Sequence, residues 1–333
     1  YRCMEDAGMT DSRTGLLLAF LLDGKGGAKP MGWESIKQWK PENGVLWIHL
    51  DYTAPDAASW LQQESGLDDI VVNALLAEET RPRCDPVGDG LLISLRGINH
   101  NPGDDAEDMV AVRLFADTHR VISTRHRTML SAAEISKHLH GNLGPCDSGD
   151  LVAMLADQLI SGMSDVVSDL EEQMDTLEEQ LLENADHTLR GGLHVLRRKA
   201  ILLRRYMGPQ RDAMHRLYGE RSNWLSAEHR LQLRESIDSI TRYIEELDTV
   251  RDRAAVAYEE LTTRLTDQLN SRMYLLSVIA GVFLPLSFIT GLLGINVGGI
   301  PWAETPLGFL IVVILLLVAA VGELIYFRRR NWI

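Results

Sequence analysis

Three patterns of apolar and polar positions follow one another along this chain. Up to about residue 145, short apolar runs alternate with turn-rich stretches and short helical repeats. The runs that predict strands are 15–22, 45–50, 91–98, 109–115 and 121–124. The repeats that predict helices are 56–64, 67–78 and 130–139. Because strands and helices are mixed within one segment, we predict an N-terminal cytosolic α/β domain over residues 1–148.

Residues 149–270 predict a cytosolic helical stalk. Apolar residues recur at heptad spacing from Met163, and from 165 to 186 the other positions include many Asp and Glu but no Lys or Arg. The next apolar stripe, from Leu193 to Met207, is flanked by arginines. An acidic helix followed by a basic one predicts an antiparallel hairpin with matched charges. Pro209 is expected to kink or break the second helix.

A third helix is predicted to begin near Ser226 and to continue to residue 293, because no Gly or Pro interrupts its stripe before Gly281. At 1.5 Å per residue this helix is about 100 Å long. It ends in an uncharged segment, 273–295, and a second apolar segment covers 307–327. Each segment is long enough to cross a bilayer core, which takes about 20 residues. We therefore predict a transmembrane hairpin over 271–333.

Flanking charges predict the orientation of this hairpin. Arg264 and Arg272 precede the first segment, and three arginines at 328–330 follow the second. The loop between the segments, 296–306, has no Lys or Arg. By the positive-inside rule, both termini are cytoplasmic and the short loop faces outward.

One face of the first apolar segment mixes polar, small and apolar side chains, as the lining of an ion path does. Its members recur at three- and four-residue spacing: Asn270, Met273, Ser277, Ala280, Leu284 and Ser287. The second segment is almost purely aliphatic, which is typical of an outer, lipid-facing helix. A single hairpin cannot enclose a water-filled path, so transport requires several copies. The alternative is that Ser and Ala on this face only allow close helix packing, and composition leaves both interpretations open.

Composition narrows the class of partner. With 33 Lys and Arg against 47 Asp and Glu, the net charge of −14 opposes nucleic acid as a partner and is compatible with metal cations or with solubility alone. Cys3, Cys84 and Cys146 are too widely spaced for a thiolate zinc site within one subunit. No nucleophile–base constellation or phosphate loop supports an enzyme. No apolar stretch follows a basic start, so no secretory signal is expected.

Other ionisable residues are candidates for metal ligands or proton carriers. His138 and His140 share a predicted helix at a spacing that points them apart, and His49 with Asp51 closes a predicted strand, so we expect structural roles for both pairs. The acidic helix 165–186 could attract divalent ions, but pairing with the basic helix favours a structural role. Glu323 is the ionisable residue inside the second segment, and its position before the arginines favours a snorkelling, paired carboxylate.

The tripeptide Gly294-Ile295-Asn296 follows the first segment, with a short loop, a second segment and a basic end after it. This arrangement resembles the CorA metal-ion transporter superfamily, whose magnesium members carry Gly-Met-Asn here. Ile295 departs from that pattern and is similar to the zinc-transporting ZntB branch. The stretches 22–27, 80–83 and 204–212 resemble that branch as well.

The resemblance implies a funnel-shaped homopentamer in the bacterial inner membrane, with an α+β cytosolic domain, long stalk helices and two transmembrane helices embedded in lipid. The family's pore positions carry over to Asn270, Met273, Leu276, Ser277, Ala280, Leu284, Ser287 and Asn296. Asn296 would form an outer ring of amide oxygens that accept hydrogen bonds from the water of a hydrated ion. Glu304 would either raise the local cation concentration at the mouth or be a solvated loop carboxylate.

The same resemblance implies transport of Zn²⁺ with H⁺, by symport and for uptake, with no bound cofactor. Three alternatives stay open. They are a magnesium or broad divalent cation channel of the same fold, zinc efflux, and a membrane-anchored sensor or scaffold that signals through its helices.

Overall fold

The computed structural model describes residues 15–78, 80–101, 103–295 and 305–330. By its contacts the chain divides into two compact units. The first comprises Tyr1–Asn184 with Thr188–Tyr258, and the second comprises Ala185–His187 with Glu259–Ile333. The predicted domain boundaries at residues 148 and 270 stay predictions.

The first unit begins with a layer of strands and short helices. Its strands are β1 (Leu16–Leu22), β2 (Ala28–Pro30), β3 (Leu46–Asp51), β4 (Arg83–Val87), β5 (Gly90–Gly97), β6 (Val110–Ala116) and β7 (Arg120–Arg125). Its short helices are α1 (Trp33–Lys37), α2 (Pro55–Gln63), α3 (Asp69–Leu76) and α4 (Leu130–His140), with one 3₁₀ turn at Pro41–Asn43. All five predicted strands and all three predicted helices of this domain are confirmed, with ends shifted by one or two residues. The strands β2 and β4 and the helix α1 were not predicted.

The described strands form one sheet in the order β2-β1-β3-β7-β6-β5-β4. Neighbours are antiparallel except β3 and β7, which run parallel. The central strand β3 is buried on both faces. Because side chains alternate across a strand, Ile48 and Leu50 pack with Trp60 and Leu75 of α2 and α3, whereas Trp47 points to the other face.

Three longer helices follow in the first unit: α5 (Ser148–Ser161), α6 (Ser164–Glu183) and α7 (Leu189–Gly219). The sequence did not predict α5, because its buried residues occupy consecutive positions 151–153 and leave no single apolar stripe. The helix lies close to the sheet: a Cβ added to Gly97 of β5 would lie 2.7 Å from Leu159 Cδ2.

The helix α7 continues through Pro209, so the helix does not break at this residue, and the alternative expectation of a kink stays a prediction. Pro209 removes one backbone hydrogen bond, but Met207, Gln210 and Met214 are fully buried around it. Packing on both sides of the proline holds the helix in one piece.

Part of the 204–212 stretch has a structural role, because Gln210 contacts the sheet. The side chain of Gln210 accepts a hydrogen bond from Arg96 N (2.6 Å) and donates one to Arg96 O (2.9 Å). The strand β4 begins at Arg83, which pairs with Ser94. The two bonds from Gln210 therefore replace the strand partner that Arg96 lacks on this side of β5. The Arg96 guanidinium lies 4.1 Å from the Tyr206 ring centroid and donates to Thr80 O at 3.0 Å. The 80–83 and 204–212 stretches therefore meet at β5.

The 22–27 stretch shapes the turn between β1 and β2. Asp23 Oδ1 accepts hydrogen bonds from Lys25 N (2.7 Å) and Gly27 N (2.9 Å). Gly24 and Gly26 have φ of 74° and 92°, a region that side chains disfavour. The conformation of the turn therefore accounts for the Asp and Gly residues of this stretch.

Two further helices complete the described chain: α8 (Ala227–Leu293) and α9 (Gly308–Arg329). The prediction of one continuous helix to residue 293 is confirmed. Within the described residues, three segments are long and apolar enough to span a membrane: Ser148–Glu183, Ala227–Leu293 and Gly308–Arg329. The most apolar window of the first segment is 50% buried by the protein, whereas those of α8 and α9 are 0% buried. The apolar surface of α8 and α9 is thus the part that a bilayer would cover.

Candidate functional site

The predicted path-lining face of α8 is exposed in the single chain. Met273, Leu276 and Leu284 expose 62%, 60% and 74% of their surface. The other members, Asn270, Ser277, Ala280 and Ser287, are exposed as well. No residue of the same chain, as far as it is described, occupies this face.

A second face of the same helix is partly covered. Its members are Val278, Gly281, Val282, Pro285, Leu286 and Ile289. At 100° per residue, the centres of the two faces lie about 140° apart around the helix. Leu276 lies at the edge of the exposed face rather than at its centre.

The covered face of α8 lies against α9. A Cβ added to Gly281 would lie 3.1 Å from Phe327 Cζ. The partly covered residues of α9 also share one face of the helix: Val312, Val313, Leu316, Ala319, Ala320, Glu323 and Phe327. A small residue at 281 allows the aromatic ring to approach the α8 backbone, as small residues do at membrane helix contacts. Gly281 was not predicted to be a helix contact, although an isolated Gly in a helix is a signal for close packing.

The hydroxyl groups of this region are bonded along the helix. Ser277 Oγ donates to Met273 O at 2.8 Å, and Thr290 Oγ1 donates to Leu286 O at 3.1 Å or to Ser287 O at 3.0 Å. A hydroxyl that donates its proton to the backbone keeps lone pairs for another donor. Ser277 can therefore accept a hydrogen bond from a water molecule at the exposed face of α8.

The tripeptide is described at its first two residues. Gly294 N donates to Thr290 O at 2.9 Å and so closes the last turn of α8. Gly294 and Ile295 are exposed at the end of the exposed face. Asn296 and Glu304 lie outside the described residues, so their predicted roles at the outer mouth stay predictions.

The histidines in the described part of the chain form no metal centre. His140 Nδ1 lies 2.6 Å from Ser136 O within its own helix, and His49 Nδ1 lies 2.8 Å from Ser123 Oγ in the sheet. Burial lowers the pKa of His49 to about 3, with a further contribution from Arg125. Asp51 caps a turn by accepting from Thr53 N. The chain has no cluster of three or more His, Cys, Asp or Glu with metal-ligand geometry in the residues that the structure describes.

The two described cysteines differ in environment. Cys84 is buried in β4, and burial raises the pKa of its thiol to about 12. Cys146 is exposed, and its thiol pKa is also raised, first by partial desolvation and then by nearby carboxylates. Neither thiol is activated as a metal ligand, and Cys3 lies outside the described residues.

The predicted hairpin of α6 and α7 is confirmed by the packing of the two helices, but direct ion pairing of their charges is not observed in the described residues. Over their described lengths these helices share no ion pair, although they pack together: a Cβ on Gly192 would lie 3.0 Å from Leu177 Cδ2. The acidic helix pairs instead with α8, where Arg253 Nη2 lies 2.6 Å from Asp175 Oδ1 and Arg253 Nε lies 3.1 Å from Glu178 Oε1. The ion pairs of Arg253 were not predicted because this residue interrupts no apolar stripe. Its pairing depends on where α8 crosses α6.

The pairing predicted for Glu323 is also wrong. Within 305–330 and the rest of the described chain, Glu323 forms no ion pair, and its Oε2 atom is buried without a hydrogen-bond partner. Arg328, Arg329 and Arg330 are exposed beyond it. An unpaired carboxylate in an apolar segment is costly.

Comparison with known proteins gives consistent matches over nearly the whole chain. The family profile described as "CorA-like Mg2+ transporter protein" matches residues 42–329. "Zinc transport protein ZntB" of Pectobacterium carotovorum is 39% identical over 328 residues, 98% of this chain and 99% of that protein. "Divalent cation transporter CmaX" of Pseudomonas aeruginosa is 39% identical over 329 residues, 96% of this chain and 97% of that protein. The solved structure described as "structure of the full-length CmaX protein" has a TM-score of 0.84 at 38% identity, covering 96% of this chain and 98% of that one.

Proposed function

This chain belongs to the CorA-like Mg²⁺ transporter family, and from that premise we propose that its copies surround a membrane path for divalent cations. The observation that carries the proposal is the exposed face of α8, which lies on the side of the helix away from α9. A polar and small face in an otherwise uncovered apolar segment needs a neighbour other than lipid. Further copies of α8, with water between them, supply that neighbour.

The cation of the proposal is Zn²⁺, taken up together with H⁺ by symport. Zinc is supported by the name of the Pectobacterium relative and by Ile295, which departs from the magnesium members' tripeptide. Zn²⁺ and H⁺ are substrates here and not resident cofactors.

The assembly of the proposal is a homopentamer in the bacterial inner membrane, with α8 and α9 as a two-helix hairpin and both termini in the cytoplasm. The arginines before 273 and after 327 support this orientation. The inner helix of each copy is α8, and α9 faces lipid with its aliphatic side chains.

Within this path, Asn270, Met273, Ser277, Ala280, Leu284 and Ser287 form the lining, with Leu276 at its edge. Gly294, Ile295 and Asn296 form the outer entrance. An amide ring holds a hydrated ion through its water, without the tighter hold of a carboxylate ring. Glu304 adds negative charge near the mouth.

A flux assay tests the proposal. The full chain is reconstituted in vesicles, and entry of Zn²⁺ and of Mg²⁺ is followed with metal-sensitive dyes, with and without an imposed proton gradient. We expect Zn²⁺ flux to exceed Mg²⁺ flux and to increase with an inward proton gradient. The same inward proton gradient tests direction: zinc moving outward against its own gradient, opposite to the protons, would support efflux.

A magnesium or broad divalent channel is the second candidate. It is favoured by the description of the family and by the Pseudomonas relative, which is as identical to this chain as the zinc-named one. Mg²⁺ flux above Zn²⁺ flux, unaffected by the proton gradient, would replace the zinc proposal with this one.

Asn296→Ala separates transport from a sensor or scaffold. We expect this variant to lose most metal flux because the entrance ring loses its amide oxygens. Asn223→Ala, in the exposed loop between α7 and α8, is the matched control and should leave flux unchanged. Unchanged flux in Asn296→Ala would favour the sensor or scaffold.

A further inference from the structure

Glu323 is chemically alone in the apolar part of the chain. Residues 273–295 contain no Asp, Glu, Lys, Arg or His, and residues 307–327 contain only Glu323. We propose that Glu323 is the site at which each subunit binds the proton that is transported with the metal ion. This inference rests on the proposed symport and assigns it a residue away from the metal path.

The position of Glu323 on α9 is the first support. It lies on the partly covered face of the helix, one turn before Phe327, which contacts Gly281 of α8. Its neighbours on either side, Gly322 and Leu324, are exposed. The Oε2 atom of its carboxyl group is buried at this partly covered face.

The lack of a partner is the second support. Glu323 Oε2 is buried and accepts no hydrogen bond from any described part of the chain. A carboxylate oxygen that is buried without a hydrogen-bond partner is unfavourable. The reaction is the simple equilibrium of a carboxylate and a proton with a neutral carboxylic acid.

No other titratable group competes for the proton at this contact. Residues 278–293 of α8, which include the face against α9, carry no titratable side chain. The nearest charged groups along the chain are Arg272 before that stretch and Arg328, Arg329 and Arg330 after Glu323. None of these arginines forms an ion pair with it in the described structure.

The face of α8 opposite Phe327 offers an acceptor to the neutral acid. Pro285 has no backbone N–H, so the carbonyl of Gly281 lacks the helical donor that position 285 would supply. This carbonyl belongs to the covered face that contains Gly281 and Pro285. A protonated carboxyl can donate one hydrogen bond, which a carboxylate cannot. Proton binding thus changes what α9 can bond to on the back of the path-lining helix.

The test compares Glu323→Gln with wild type in reconstituted vesicles that report both zinc and pH. Gln keeps the size and polarity of a neutral acid but cannot exchange a proton. We expect the variant to pass Zn²⁺ down its own gradient while losing the acceleration by a proton gradient and the zinc-driven pH change. Glu323→Asp, which keeps a carboxyl, should recover part of both. Glu245→Gln, on an exposed part of α8, is the matched carboxyl-to-amide control.

A second measurement is independent of transport. Infrared difference spectra of the full chain between acidic and alkaline buffer should contain the carbonyl band of a buried carboxylic acid, and Glu323→Gln should remove it. If wild-type flux ignores the proton gradient, the proposed symport fails, and the infrared band alone decides whether Glu323 binds a proton. Full coupling in Glu323→Gln, or an unchanged infrared band, overturns the assignment.

Discussion

The two halves of α8 differ in what covers their apolar residues. In the first half, Leu233, Ile240, Leu247 and Val250 are completely buried by the chain itself. From residue 262 to 293 the same helix has no buried residue in the described structure, although its most apolar window lies there with a mean hydropathy of 2.2. One helix thus carries a stripe that its own chain covers and an apolar segment that the described chain leaves uncovered.

This contrast shows that apolar pattern alone does not say what covers a helix. The first half is amphipathic, with charged faces between the apolar positions, and so needs only one covered side. The second half is apolar on nearly all sides, with a single face of small and polar residues. The first pattern matches packing in water, and the second matches a membrane segment beside a wet path.

The largest expected effect compares a leucine from each half. Leu247→Ala removes a side chain with 0% exposure and should lower the free energy of unfolding by about 2–5 kcal/mol. Leu275→Ala, at 60% exposure, should change it by about 0.5 kcal/mol or less. Thermal unfolding of the purified chain in detergent, followed by circular dichroism, measures both. Equal losses would show that the second half packs against protein as tightly as the first.

The second effect concerns the contact between α7 and the sheet. Gln210→Ala leaves Arg96 N and Arg96 O without their partners and should cost about 2–3 kcal/mol of unfolding free energy. Gln232→Ala, an exposed glutamine of α8, should cost little. The same unfolding assay applies. A neutral Gln210→Ala would mean that solvent replaces the amide at the end of β4.

The elements that the sequence did and did not predict differ in a physical way. The five predicted strands are the five inner ones, which have long apolar runs. The missed strands β2 and β4 are the two sheet edges, and each contains a proline, which is tolerated there because one side of an edge strand has no partner. Such strands are short and polar, so they carry no periodic signal.

The candidate site, like the inner strands, was predictable only where a periodic pattern along a single element indicates it. The exposed face of α8 follows from spacing along one helix, which needs no tertiary information. The contacts of Gly281 with Phe327 and of Arg253 with α6, and the unpaired Oε2 atom of Glu323 in the described structure, depend on how separate helices meet. Charge patterns were misleading there: the acidic and basic helices suggested a pair, but the acids lie beside an arginine of a third helix.

The third effect is the pH dependence of the folding stability of the layer of strands and short helices, in which His49 is buried. His49 has an ordinary pKa of 6.5 when unfolded and about 3 when folded, so the unfolded chain binds more protons between these values. Stability is therefore fully present above pH 6.5 and is lost as the pH falls, by about 2 kcal/mol at pH 5. Unfolding midpoints across this range measure the slope.

A variant isolates the contribution of His49. His49→Asn keeps a polar atom near the position of Nδ1 for Ser123 but cannot titrate, so its pH slope should be shallower than that of wild type. His119→Asn, in an exposed turn, should keep the wild-type slope. An unchanged slope in His49→Asn would place the acid sensitivity in other groups.

The smallest effect tests the charges that tie the first half of α8 to its neighbour. Hydrogen bonds to Glu178 and Asp175 raise the pKa of Arg253, and both carboxylates lie on α6. Arg253→Gln should lower the unfolding free energy by about 0.5–1 kcal/mol at low salt, and by less at high salt because the pairs are partly exposed. Arg211→Gln, which loses only a pair with its neighbour Asp212, should have no measurable effect. A loss that salt does not reduce would mean that Arg253 acts through the packing of its aliphatic stem, and the link between α6 and α8 would then be apolar like the rest of the covered half.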